Sequence, residues 1–227
     1  MRRLIFPLLL GLVGVAILLS LGVWQLQRLA WKQAYLAGIE AKIAAAPVAL
    51  PDDPGPEADS YLPVTVSGRF TGAALQVLSG KKDLGAGVRI IAAFETDQGR
   101  RLLVDRGFVL QDSRNAPRQV TTATVTGNLH WPQDADAYTP PPDTATGLWF
   151  ARDVPAMAAA LDTEPILIVA RATTGDGIEP MPLDTSTIPN DHAGYAFTWL
   201  ALALIWAVMS AALLWRMRPQ KSEDGKD

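Results

Sequence analysis

The sequence predicts a membrane protein of the α+β class, in which two transmembrane helices flank a mainly antiparallel β barrel or sandwich outside the membrane. Two observations predict the helices. Residues 4–24 and 193–215 contain no charged side chain, and at about 1.5 Å per residue each run is long enough to cross a hydrocarbon core of about 30 Å. A third observation predicts the domain: between these runs, short apolar segments alternate with polar residues at the period of β-strands.

Both apolar runs are interpreted as membrane anchors that stay in the protein. The first run is longer than the apolar region of a signal peptide, and no small-x-small cleavage pattern follows it. Basic residues lie at the outer ends of the two runs: Arg2, Arg3, Arg216, Arg218 and Lys221. This placement favours a cytoplasmic location for both chain termini. Arg28 and Lys32 lie on the far side, but they begin a long loop, and long loops translocate largely regardless of charge.

The first run begins almost at once, so there is no room for a transit peptide, which favours a bacterial inner membrane with the central domain in the periplasm. The predicted organisation has four regions. Residues 1–27 form the first membrane helix, which continues as a helix to about residue 46. Residues 47–189 form the periplasmic β-rich domain, residues 190–217 the second membrane helix, and residues 218–227 a disordered, acidic cytoplasmic tail.

Within the domain, alternating patterns predict six or seven short strands: residues 61–70, 74–79, 88–96, 101–110, 119–131, 147–151 and 166–171. The best hairpin joins 88–96 to 101–110 through Asp97-Gln98-Gly99. Asp153 is predicted to cap a short helix that ends at Leu161. Asp105-Arg106-Gly107 is interpreted as a structural charge pair at a bulge. Because so little helix separates the strands, a barrel or sandwich is favoured.

Small residues predict close packing of the two membrane helices. Ala203, Ala207 and Ala211 recur every four residues in the second span. Such residues let helices approach closely, and Ala16 and Ser20 of the first span are expected to face them.

Composition excludes several kinds of chemistry. The chain has no cysteine and a net charge of −3, so thiol redox chemistry and cysteine-based copper or zinc sites are excluded, and there is no nucleic-acid signature. No phosphate-binding glycine loop and no serine elbow are present, and His130 is interpreted as an exposed residue at a strand end. The sequence therefore predicts a protein that is not an enzyme.

His192 is the residue that stands out, because it lies at the mouth of the second membrane helix, with Asn190 as the expected N-cap. Tyr195 and Trp199 follow at i+3 and i+7 and share its stripe of the helix. The helix dipole disfavours a charged imidazole in the first turn, and a neutral imidazole is what an iron porphyrin needs as an axial ligand. On the residues alone, tetrapyrrole ligation and an interfacial histidine that donates to a backbone carbonyl both stay open.

A second candidate surface follows the first span. Trp24, Arg28, Trp31 and Tyr35 are spaced by four, three and four residues, which places them on one helix face, with Lys32 on the neighbouring strip. One interpretation is an aromatic belt at the membrane surface with basic residues that snorkel. The other is that Trp24, Arg28 and Lys32 form part of a site with the mouth of the second helix, where the two cations meet a ligand's carboxylates.

Four segments of the chain carry a family resemblance: LGVWQLQRLAWK at 21–32, VTVSGRF at 64–70, LVDRGFV at 103–109 and NDHAGYAFTW at 190–199. In this order and between two spans, they resemble the Surfeit locus protein 1 family of assembly factors for haem-copper cytochrome c oxidase. The resemblance implies a role in inserting haem a into oxidase subunit I, with haem a synthase as a further partner.

The resemblance also implies that His192 is an axial ligand of the haem iron and that Trp199 lies in the same pocket. Together with the residue patterns, the expected haem-binding residues are His192, Tyr195, Trp199, Arg28, Lys32 and Trp24. Three other functions are weighed against this one: a cofactor-free docking scaffold for the oxidase, a copper-delivery factor, which the absence of cysteine opposes, and an accessory subunit of a sensor or transporter.

Overall fold

The computed structural model describes residues 2–82, 84–143, 145–186 and 188–218. It divides the chain into two compact units: residues 1–37 with residues 186–227, and residues 38–185. Lys221 and the predicted tail from residue 219 onward lie outside the described residues.

The helices and strands have the following bounds in chain order: α1 (Arg2–Ala44), β1 (Val48–Ala49), α2 (Pro56–Asp59), β2 (Pro63–Lys81), β3 (Gly85–Thr96), β4 (Arg101–Leu110), a 3-10 turn (Gln111–Ser113), β5 (Thr122–Leu129), β6 (Leu148–Trp149), α3 (Val154–Leu161), β7 (Leu167–Ala170) and α4 (His192–Arg216).

The first unit contains the two long apolar helices, α4 and the greater part of α1. Both helices are long and apolar enough to cross a membrane, and almost none of their most apolar segments is buried inside the molecule. Phe6 and Phe197 are about three-quarters exposed, as expected of side chains that face lipid. The predicted pair of candidate membrane helices is therefore present.

Glycines of α1 make the contact between the helices. Gly14 lies under the Trp206 indole so closely that an added Cβ would be 2.3 Å from its Nε1, and a Cβ on Gly22 would be 2.8 Å from Leu200 Cδ2. Because glycine has no side chain, the large side chains of α4 pack directly on the α1 backbone.

The predicted contact residues of α1 are therefore wrong. Ala16 and Ser20 are exposed, and the Ser20 hydroxyl donates to the Ala16 carbonyl of its own helix. On α4, Ala203 is buried in the contact, whereas Ala207 is half-buried and Ala211 is exposed.

The second unit is built on a mixed seven-stranded sheet. The pairs β2–β3, β3–β4, β2–β5 and β5–β7 are antiparallel, and β1–β2, β2–β6 and β4–β7 are parallel. The prediction of a mainly antiparallel sheet is corrected by the three parallel pairs. In the β4–β7 pair both strands are buried on both faces, which is typical of parallel strands.

The sheet is not a closed barrel, which also corrects the prediction. The long strand β2 pairs with β5 over residues 63–69 and with β3 over residues 68–81. Different halves of one strand therefore make these two pairings, and the pairing with β3 is interrupted by a bulge between Phe70 and Ala74. The two strands predicted at 61–70 and 74–79 are thus one continuous strand.

The predicted hairpin is confirmed by β3 and β4. Its turn closes with a 2.8 Å hydrogen bond from the Thr96 amide to the Arg100 carbonyl, and Gly99 adopts the left-handed conformation with φ +82°. The predicted short helix is confirmed by α3, where the Asp153 carboxylate accepts from the Ala156 amide at 3.1 Å. The α3 side chains Met157 and Leu161 cover one face of the sheet, and a core around Phe70 and Phe94 covers the other.

The end of α1 belongs to this second unit and is anchored there. The Ile43 carbonyl lies in the last turn of the helix, where carbonyls have no amide partner within the helix. It accepts hydrogen bonds from Asn128 Nδ2 at 3.1 Å and from the Arg171 guanidinium. Arg171 also donates to Asn128 Oδ1 at 2.8 Å. Asn128 of β5 and Arg171, the residue after β7, thereby cap the C-terminus of the helix, and the positive charge of Arg171 suits the helix dipole.

Candidate functional site: a histidine between two apolar helices

His192 is the first residue of α4, and the residue that precedes the helix is Asp191. The prediction that Asn190 is the N-cap is therefore wrong. The Asp191 side chain makes no capping hydrogen bond, and the Tyr195 amide bonds to the Asp191 carbonyl at 3.2 Å instead. A helix that begins at His192 places the imidazole in the turn where backbone amides lack partners.

The imidazole of His192 is bound by a side chain of the other helix. His192 Nδ1 lies 2.8 Å from Gln25 Oε1. His192 is half-buried, and Gln25 is buried, with 8% of its surface exposed. The hydrogen-bond acceptor is thus a side-chain amide, and not the backbone carbonyl of the alternative interpretation.

This hydrogen bond determines which nitrogen of His192 carries the lone pair. With the amide oxygen as acceptor, Nδ1 must carry the hydrogen, so Nε2 is the unprotonated nitrogen of the neutral ring. Nε2 makes no hydrogen bond to the described residues. An imidazole whose other nitrogen donates to a fixed acceptor is the usual form of a metal-ligating histidine. The site therefore fits a single metal–nitrogen bond, such as an iron porphyrin takes.

The aromatic residues predicted beside His192 are present on the same helix. Tyr195 is 58% exposed and Trp199 is half-buried, and α4 is continuous through both. Their spacing of three and seven residues from His192 keeps all three on one stripe. The stripe offers flat apolar surface next to the imidazole.

The two predicted cations lie on aromatic rings of α1. The Arg28 guanidinium is 3.9 Å from the centroid of the Trp31 ring, and Lys32 Nζ is 5.9 Å from the Tyr35 ring. The Trp31 and Tyr35 rings stack at 5.7 Å with an angle of 7° between them. Among the described residues, no carboxylate forms an ion pair with either cation. The cations are therefore held by the aromatic faces but remain available to an anion.

Trp24, the remaining predicted site residue, is 54% exposed on α1. Trp31 and Tyr35, which follow it on the same helix face, are exposed to a similar extent. The structure thus brings Gln25 to His192. Among the described residues, no hydrogen bond or ring contact joins either of these two residues to Trp24, Arg28 or Lys32.

Gln25 is the site residue that the sequence interpretation missed. It follows Gly11 and Leu18 at intervals of seven residues and Gly22 at three, so it lies in phase with the glycines that meet α4. The sequence did contain a sign of this role: Gln25 places a side-chain amide on the packing face of an apolar helix, and such an amide requires a hydrogen-bond partner in the neighbouring helix.

His130 is not the exposed residue that was predicted. It is half-buried, and its ring centroid lies 5.6 Å from that of Tyr61. Burial lowers the pKa of His130 to about 4, helped by the Arg152 cation and opposed by Asp134. Among the described residues, no group of three histidine or carboxylate side chains could hold a metal ion.

The Asp105-Arg106-Gly107 segment does form a bulge, since Ile90 pairs with Gly107 and Ile91 with Asp105, which leaves Arg106 as the extra residue. The expected charge pair within the segment is corrected, because the two side chains have different partners. Asp105 is fully buried and binds Arg89 Nε at 2.7 Å. Arg106 binds Asp176 at 2.8 Å. The bulge is therefore structural.

A family model described as the SURF1 family matches residues 12–204 of the chain, which include Gln25, His192 and the whole sheet. The chain belongs to the SURF1 family. This confirms the resemblance on which the haem interpretation depends.

Relatives of this SURF1-family protein occur in animals, a choanoflagellate and bacteria. A SURF1-like protein of Monosiga brevicollis is 32% identical over 84% of this chain and 80% of its own length. Surfeit locus protein 1 of Rattus norvegicus is 29% identical over 81% of this chain and 67% of its own. A SURF1-like protein of Rickettsia conorii is 26% identical over 85% of this chain and 84% of its own.

Proposed function

We propose that this SURF1-family protein is an assembly factor for a haem-copper terminal oxidase, which binds haem a and assists its insertion into subunit I. The observation that supports it best is the 2.8 Å contact from His192 Nδ1 to Gln25, because it leaves Nε2 as a metal ligand at the end of an apolar helix. The protein acts as a carrier and is not an enzyme, so haem a is its cargo.

Each predicted residue has a role in this proposal. His192 Nε2 holds the iron, and Tyr195 and Trp199 lie beside the macrocycle. Arg28 and Lys32 take the propionates, for which their freedom from ion pairs leaves them available. Trp24 belongs to the same aromatic surface of α1.

The strength of the site suits a carrier. Haem a leaves the carrier only if subunit I of the oxidase binds it more tightly. One neutral imidazole at a half-buried position holds the iron less firmly than the two histidines of the oxidase site. The sheet domain docks the nascent subunit I, and haem a synthase supplies the cargo from within the membrane.

The proposed location is the bacterial inner membrane, with both termini in the cytoplasm and the sheet domain in the periplasm. Support comes from the two apolar helices and from the basic residues at their outer ends, such as Arg216 and Arg218.

The test is the visible absorption spectrum of the full chain purified from cells that do or do not make haem a. We expect haem a in the wild-type protein only when the cells make it, and its loss in His192→Ala. The matched control is His130→Ala, which removes the other histidine of the chain and should retain the haem. If His192→Ala keeps as much haem as wild type, the ligand assignment is wrong.

Wild-type protein that carries no haem a while still being required for oxidase assembly would favour the alternative, a cofactor-free docking scaffold. Intact oxidase assembly after deletion would contradict both.

A further inference from the structure

The feature that extends the proposed function is Gln25, a buried amide in the segment where α1 meets α4. A buried amide without a hydrogen bond costs several kcal/mol in an apolar medium, roughly 2–7 by transfer measurements. Gln25 avoids this cost through its bond to His192. Gln27, two residues further along the same helix, is exposed. The hydrogen bond to His192 therefore depends on the position of Gln25 on the packed face of α1, and Gln27 has no such position.

The helix contact holds the Gln25–His192 pair in place. Gly11 meets Ser210 and Gly22 meets Leu200, so α1 and α4 run antiparallel in one continuous register. Gln25 follows Gly22 by one helical turn and therefore lies on the packed face. A side chain fixed by such packing can orient the ring that it binds.

The chemistry of the partner also affects the imidazole. A carboxylate that accepts from Nδ1–H makes the other nitrogen a stronger metal ligand. An amide oxygen is neutral and weaker as an acceptor, so it fixes the same tautomer and ring orientation with less effect on the basicity of Nε2. A carrier that must release its cargo requires this combination.

We propose that Gln25 is the positioning residue of the haem site: it keeps His192 in the Nδ1–H tautomer, aims Nε2 at the iron and, because it is neutral, keeps the hold weak enough for release. This inference rests on the proposed haem function. Gln25 acts through His192 and does not itself touch the iron.

The first test needs no haem. The full chain, labelled with ¹⁵N-histidine, is placed in lipid nanodiscs, and the ¹⁵N shifts of its two histidines are assigned with a His130→Asn variant. We expect His192 to show a protonated Nδ1 and an unprotonated Nε2. A protonated Nε2 in the wild-type protein would overturn the role of Gln25, whatever the protein does with haem.

The second test measures haem a affinity and the half-time of haem transfer to excess apomyoglobin. Gln25→Met keeps the length of the side chain but removes the acceptor, and should weaken binding at least tenfold, the usual loss for a metal ligand's hydrogen-bond partner. Gln25→Glu should lower the reduction potential of the bound iron and lengthen the transfer half-time. Gln27→Glu is the matched control and should behave as wild type.

The outcomes separate the two proposals. If wild type binds no haem a, the proposed function and this inference both fail. If wild type binds haem a through His192 but Gln25→Met and Gln25→Glu leave affinity, potential and half-time unchanged, only the inference fails. Should Gln25→Met not fold, Gln25→Glu and the tautomer measurement on wild type still decide.

Discussion

At the scale of single residues, Arg106 is a deeply buried charge of the described sheet domain. Its side chain is 1% exposed, and its donors bind Thr174 Oγ1 at 2.8 Å, the Thr174 carbonyl at 2.7 Å and Asp176 at 2.8 Å. The guanidinium also lies 4.3 Å from the centroid of the Phe70 ring. A buried cation is tolerated when it is paired and hydrogen-bonded in this way.

Replacing Arg106 with methionine should therefore destabilise the domain by about 3 kcal/mol, since it leaves the Asp176 carboxylate without its partner in a nearly buried position. Arg106→Lys should be only a partial rescue, because lysine lacks the planar fork. The measurement is denaturant unfolding of the full chain in detergent. The control is Arg69→Met, which breaks the exposed pair with Glu95 and should change stability by less than about 0.5 kcal/mol.

The burial of His130 predicts how the stability of the folded protein depends on pH. Its pKa is lowered by burial from 6.5 to about 4 in the folded protein, so the unfolded chain takes up the proton first as the pH falls. Stability is therefore lost progressively between pH 6.5 and pH 4, by at most about 2 kcal/mol at pH 5.

The variant His130→Gln should thus lose less stability than wild type between about pH 7.5 and about pH 5. Thermal unfolding at the two pH values measures the difference, and groups other than His130 contribute equally to both proteins. Equal losses in both proteins would contradict the lowered pKa.

At the scale of elements, the packing of α1 against α4 depends on the glycines of α1, which have no side chain at the contact. Gly14→Leu should separate α1 from α4, because even a Cβ at this position lies 2.3 Å from Trp206 Nε1. We expect the melting temperature of the solubilised protein to fall by several degrees, together with loss of the Gln25–His192 bond. Gly38→Leu is the matched control on the same helix, since a Cβ there meets nothing within 4 Å. A Gly14→Leu protein as stable as the control would show that the helices do not pack in this register.

Much of the fold could be predicted because its signals are local. The β3–β4 hairpin follows from alternation around Asp97-Gln98-Gly99, and α3 follows from its Asp153 cap. The parallel pairing of β4 with β7 could not be predicted, because strand partners far apart in the chain leave no mark on the spacing of residues within either strand.

The continuity of β2 was hidden by Gly72, whose positive φ of +86° marks a bulge rather than the end of a strand. The candidate site, too, could be predicted only in part. His192 could be identified from its position at the mouth of an apolar run. Its partner Gln25 depends on the helix register, which the sequence carries only as the phase of Gly11 and Gly22.

At the scale of the whole molecule, the proposed topology places residues of the sheet domain and of the α4 terminus on opposite sides of the membrane. The chain has no cysteine, so a single introduced cysteine reports its own location without background. Tyr138→Cys, at a side chain that is 93% exposed, should react with a membrane-impermeant maleimide in spheroplasts. Met217→Cys should react only after the membrane is opened. The reverse pattern would contradict the proposed orientation.

The position of β7 in the chain has a consequence for synthesis on the ribosome. Strands β4 and β5 cannot acquire their shared neighbour until β7 emerges, and only residues 171–191 then precede α4. Long-range pairing is slow, and until it forms, β4 exposes an unpaired edge. Completion of the sheet and synthesis of the last apolar segment therefore fall close together in time.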